Sequence, residues 1–141
     1  MAVDPPAPDP RVIAAYLDDV DLELDAARRL IVDPPNRLAA LHLQQAREKL
    51  VKAIRLSRGL RVTADHDLEA LVDELSHDDP WRAKLTVLEP LSVYATTYRY
   101  PSPTGKRKGG PGNDELVVWI KTIGGLTLEA RAALLKVPPT R

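Results

Sequence analysis

Residues 36–59 read NRLAALHLQQAREKLVKAIRLSRG, and after the connector LRVTAD residues 66–75 read HDLEALVDEL. At about 100° per residue, Leu43, Ala46, Leu50, Ala53, Ile54 and Ser57 share one helical face, which predicts a long amphipathic helix. Arg47, Arg55 and Arg58 fall on the flank of that face. Gly59 supplies the stop, because a residue without Cβ takes the left-handed conformation that ends a helix. Asp65 and His66 open a second helix, in which Leu68, Leu71, Val72 and Leu75 repeat at i, i+3, i+4, i+7. The stretch predicts two antiparallel helices.

Upstream, the prolines of Met1 to Pro8 remove backbone donors, and the few apolar side chains cannot offset the entropy of ordering, so residues 1–8 are expected to be a disordered arm. Asp9 can cap a helix whose first position suits Pro10. Ile13, Leu17, Val20, Leu24, Ala27 and Ile31 then recur at 4, 3, 4, 3, 4 spacing, a seam suited to packing in a bundle. Asp33-Pro34-Pro35 stops this helix and Asn36 caps the next.

Downstream, Asp79 and Pro80 open a helix carrying Trp81, Leu85, Leu88, Leu91, Ala95 and Tyr98 at an approximately helical period. Pro90 lies inside it. An internal proline costs about 3 kcal/mol and one ladder bond, so a kink is expected near Leu88. Residues 101–112, PSPTGKRKGGPG, read as a mobile loop bearing the basic triplet Lys106-Arg107-Lys108. Asn113 and Asp114 cap a last stretch with Leu116, Val117, Trp119, Ile120 and Ile123 apolar, whose β-branched density leaves strand as an alternative. Gly124-Gly125 is expected to break it, with Thr127 restarting a helix that ends before Pro138. The reading is an all-α, antiparallel up-down bundle of four to six helices in one domain, residues 9–137.

At 141 residues such a domain can bury roughly two thirds of its unfolded surface without staples. There are no cysteines, which excludes disulfides and thiolate metal sites. The chain shows no basic start with an apolar run and no stretch of about 20 apolar residues, so a soluble, cytoplasmic protein is expected. Net charge is zero, from 20 basic and 20 acidic residues, which argues against a general electrostatic grip on nucleic acid. Its distribution is uneven. Met1 to Asp33 carries three arginines against eight carboxylates, whereas Gln45 to Arg61 carries six Lys or Arg against Glu48 alone. Either the two helices offset each other along their rims, or the second forms a basic groove for a phosphate-bearing ligand.

Gln45-Ala46-x-Glu48-Lys49, Lys52-Ala53, Arg58-Gly59, His66-Asp67-Leu68-x-x-Leu71 and the later Tyr98-Arg99-Tyr100-Pro101 together resemble the HEPN family of prokaryotic helical domains, named for nucleotide binding. The resemblance covers most of the chain. It implies a homodimer whose intersubunit cleft binds a nucleotide or RNA segment, and a separately encoded minimal nucleotidyltransferase as partner in a toxin-antitoxin arrangement. Arg47, Arg55, Arg58, Arg61 and His66 are the expected binding residues, because a planar guanidinium fork matches two phosphate oxygens at once.

Members that cleave RNA without metal have an arginine a few residues ahead of a histidine, and Arg61 and His66 resemble that pair. The imidazole would take the proton of a ribose 2′-hydroxyl while the guanidinium binds the scissile phosphate. This chain carries Val62 where cleaving members often have a polar residue, and Leu68 where toxin-type members have a tyrosine. Binding without turnover is therefore the first expectation, metal-independent endoribonuclease the second, and a non-enzymatic interaction module the third. His42 and His77 lack metal-ligand spacing, and Gly109-Gly110-Pro111-Gly112 lacks the lysine and preceding strand of a phosphate loop. No metal and no cofactor is expected.

Overall fold

The structure, a computed structural model, describes residues 8–31, 37–61, 67–97, 103–105 and 111–135. Among them are six α-helices, one 3-10 turn and no strand: α1 Pro10–Leu30, α2 Arg37–Ser57, α3 Leu68–Asp73, α4 Pro80–Thr86, the 3-10 turn Glu89–Leu91, α5 Ser92–Thr97 and α6 Asn113–Leu134. The all-α bundle is thus observed. The expected arm apart from Pro8, most of the loop at 101–112, the Asp33-Pro34-Pro35 stop and the Asn36 cap lie outside the described residues.

Local chemistry accounts for the helix ends. The Asp9 carboxylate accepts from the Arg11 amide at 2.9 Å, with Pro10 at the first position of α1. The α2 terminus closes on Gly59, whose φ of 75° lets the Leu60 amide reach Arg55 O and its own amide reach Leu56 O, both at 3.0 Å. Asp67 caps α3 through the Ala70 amide, so this helix starts after His66 rather than at Asp65 and His66. Asp79 caps α4 through the Trp81 amide at 2.9 Å.

Pro90 breaks the fourth helical stretch more completely than a kink. The chain leaves α4 at Thr86, tightens into Glu89–Leu91 and resumes as α5. Proline tolerates the first turn of a 3-10 segment, where its missing N–H has no partner to lose. Trp81, Leu85, Leu88, Leu91 and Tyr94 all stay buried across the break.

The break expected at Gly124-Gly125 does not occur, and neither does a strand: α6 runs unbroken through both glycines. Two interior glycines cost about 2 kcal/mol relative to alanine. Burial of Leu116, Ile120 and Ile123 on one side of the pair, at roughly 1.5–3 kcal/mol each, outweighs that. Thr127 is therefore not a cap but a buried interior residue, its hydroxyl donating to Ile123 O at 2.8 Å.

The core is the α1–α2 pair, with α6 packed on both. Ile13, Leu17, Val20, Leu24 and Ala27 meet Leu43, Ala46, Leu50, Ala53 and Ile54, all buried. Helix α6 runs antiparallel to α1. Arg131 reaches Asp18 at 2.9 Å and Asp21 at 2.6 Å, a Cβ on Gly124 would lie 3.8 Å from Leu24 Cδ1, and Val117 lies near Ile31. One end of the bundle thus gathers the end of α1 with the beginnings of α2 and α6. The other gathers the end of α2 with α3 and α4. At 1.5 Å per residue, α2 separates the two ends by about 30 Å.

Candidate functional site

Arg47, Arg55 and Arg58 face the segment 67–82, and the structure gives each a different setting. Arg47 is fully buried, not on the flank: its Nη2 donates to Glu69 Oε1 of α3 at 2.8 Å. Its Nε and Nη1 are buried with no hydrogen-bond partner among the described residues, as is Gln44 Oε1 one turn earlier. Burial is the strongest single influence and raises the Glu69 carboxyl, but the Arg47 hydrogen bond, a backbone hydrogen bond and the Arg47 charge together hold the group below its usual range.

Arg55 is also buried, 2% exposed. Its Nη1 donates to Glu74 Oε2 and to Leu71 O, both at 2.9 Å, and its Nη2 to Arg61 O at 3.1 Å. The guanidinium therefore ties the last turn of α2, the connector and α3 together. Arg58 forms a bidentate pair with Asp79, Nε to Oδ2 at 2.6 Å and Nη2 to Oδ1 at 3.0 Å. That hydrogen bonding holds the Asp79 carboxyl below, and the Arg58 guanidinium above, their usual values. The Arg58 side chain remains 33% exposed.

The expectation of one shared flank is corrected to this extent: α3 and the turn before α4 lay Glu69, Glu74 and Asp79 over Arg47, Arg55 and Arg58. Arg61 differs. Its side chain is exposed and has no partner among the described residues, while its carbonyl is pinned by Arg55. His66, Tyr98-Arg99-Tyr100-Pro101 and Lys106-Arg107-Lys108 lie outside the described residues.

Among the described residues, the uneven charge of the first two helices is offset between them only at Lys49 and His42, while Asp18 and Asp21 of α1 pair with Arg131 of α6. Lys49 Nζ lies 2.9 Å from Glu23 and 3.7 Å from Asp19, and His42 Nδ1 lies 2.6 Å from Glu23. Burial raises the Glu23 carboxyl, and the hydrogen bonds from His42 and Lys49 more than reverse this.

A second guanidinium–imidazole pair escaped the sequence reading. Arg82 Nη1 lies 2.7 Å from His77 Nδ1. Guanidinium only donates, so Nδ1 accepts and the ring proton of neutral His77 sits on Nε2. The residues are five apart across the turn that opens α4, with the histidine first, so a search for arginine before histidine passes over them. With Asp79, Ala83, Thr86 and Val87 they line a surface concavity of about 430 Å³. Asp79 joins this concavity to Arg58, three residues before Arg61. Among the described residues no three His, Cys, Asp or Glu side chains converge as metal ligands, and no helix is long and apolar enough to cross a membrane.

The described residues form an all-helical bundle. The HEPN domain family model matches residues 16–123, and the chain belongs to that family. No curated protein and no solved structure matches the chain.

Proposed function

We propose that the protein binds a nucleotide or short RNA segment at the end of the bundle where α2 stops. Arg61 contacts phosphate directly, His66 lies five residues further along the connector, and Arg58 adds its exposed edge. Arg47 and Arg55 contribute by fixing α3 and the connector. The observation that carries this reading is Arg61: an exposed guanidinium with no carboxylate partner among the described residues, on backbone held by the buried Arg55. Bidentate phosphate binding needs a free fork on a rigid base.

The family supports a homodimer whose intersubunit cleft holds this ligand, and a separately encoded minimal nucleotidyltransferase as partner, with the present chain as the toxin-like member. Calorimetric titration with ATP and with a short single-stranded RNA tests the site. Arg61→Ala should weaken binding about tenfold, the value of one lost charge-assisted contact. Equal affinity in wild type and variant would reject it.

Cleavage is the second reading, favoured by the arginine-then-histidine order of Arg61 and His66. Incubation with RNA in chelator should then give products that disappear in His66→Ala. Intact RNA at high protein concentration would leave binding alone.

A further inference from the structure

At the opposite end of the bundle, the end of α1 and the beginning of α6 enclose a groove of about 450 Å³, lined by Arg28, Ile31, Val117, Ile120 and Lys121. The described residues of its floor, Ile31, Val117 and Ile120, are aliphatic, and Arg28 and Lys121 bring two cations to it. Ten of the fourteen described lysines and arginines pair with a carboxylate, and Arg28 and Lys121 are among the four that do not. Two carboxylates of α1 are engaged elsewhere, Asp25 with Arg29 at 3.1 Å and Asp21 with Arg131 at 2.6 Å. Two unpaired cations therefore border the same apolar groove, which lies about 30 Å from Arg61 along the bundle.

We infer that this groove binds a small organic anion with an aliphatic body, a medium-chain or branched carboxylate. Its volume falls in the range of small-ligand sites. The aliphatic chain covers Ile31, Val117 and Ile120, and the carboxylate sits between the Arg28 fork and the Lys121 ammonium. A nucleotide fits the floor poorly. Among the described residues the lining holds no aromatic ring on which a base stacks and no amide or hydroxyl side chain to meet its ring nitrogens, so those polar atoms lose hydrogen bonds on entry.

Titration of methyl-labelled protein with decanoate, below the concentration at which it forms micelles, tests the site. The methyl resonances of Ile31, Val117 and Ile120 should shift together and saturate. Decanol and decyltrimethylammonium should bind about tenfold more weakly or not at all, as should decanoate in Arg28→Gln/Lys121→Gln. Both side chains are exposed, so this variant keeps its helical circular dichroism, and Arg61→Ala leaves decanoate binding unchanged. The inference is overturned if the methyls do not move, if the cationic amphiphile moves them equally, or if AMP displaces decanoate from them.

Discussion

The guanidinium of Arg55 donates to the backbone carbonyl of Arg61 across 3.1 Å, so the residue best exposed to a ligand is held by one that a ligand cannot reach. Arg55 also caps Leu71 O, which α3 leaves without a helical partner near its end. Arg55→Met keeps the length of the side chain but abandons these carbonyls. It should cost roughly 2–4 kcal/mol in urea denaturation. It should also weaken ATP or RNA binding, although its own guanidinium touches neither. Unchanged stability would show that the carbonyls find other partners.

Arg47 predicts the opposite outcome. Only Nη2 of this buried guanidinium is hydrogen-bonded, while Nε and Nη1 carry the desolvation cost unrelieved. Removing the guanidinium ends that cost and leaves Glu69, 41% exposed, to water, so Arg47→Met should hold or raise the denaturation midpoint. Glu69→Ala, which strands the buried cation, should instead destabilise by about 3–5 kcal/mol. If both variants lose stability equally, Arg47 has further partners in solution.

Gly125 sits in the middle of α6, and a Cβ there would meet nothing within 4 Å. Gly125→Ala should therefore stabilise by roughly 0.5–1 kcal/mol, the cost of glycine in a helix interior. Thermal unfolding of this single variant is sufficient, and a lower midpoint would mean that the exposed face needs the bare backbone.

Stability should fall in acid through a specific set of carboxylates. Asp79 titrates below its ordinary 3.8 because of the Arg58 hydrogen bond, and Glu23 and Glu69 below 4.5 because basic partners outweigh their burial. Each binds protons less readily folded than unfolded. Its contribution is complete above the unfolded value and disappears as pH drops through the lower native one. The urea midpoint should be flat from neutrality to about pH 5 and then decline, less steeply in Arg58→Ala. A decline that begins near neutrality would point to a histidine instead.

Helix positions were legible where a clear periodicity or an Asp-Pro start decides them, but not at Asn113 and Asp114, since α6 starts after Gly112 with no side-chain cap. The 4, 3, 4, 3 seam of α1 is buried as read, and Asp9 and Asp79 cap as their proline neighbours suggest. Gly124-Gly125 misled because local cost was weighed without the burial on either side of it. The site was less legible. Angular position on α2 locates Arg47 and Arg55 near the edge of the apolar face, but whether that edge meets solvent depends on α3, which brings Glu69 and Glu74 across it. The His77–Arg82 contact depends on the turn into α4, which spacing alone does not specify.

The contact between Arg131 and Asp18 spans 113 residues of chain. Helices α1 and α2 can find each other early, because only a short connector must close, and the entropy of closure grows with loop length. Helix α6 must close a loop of 113 residues to make this contact. It is therefore expected to dock late during folding and to detach early when the native bundle opens locally. Amides of α6 should exchange with solvent sooner than those in the middle of α2, and each departure of α6 also dismantles the aliphatic groove that it shares with α1.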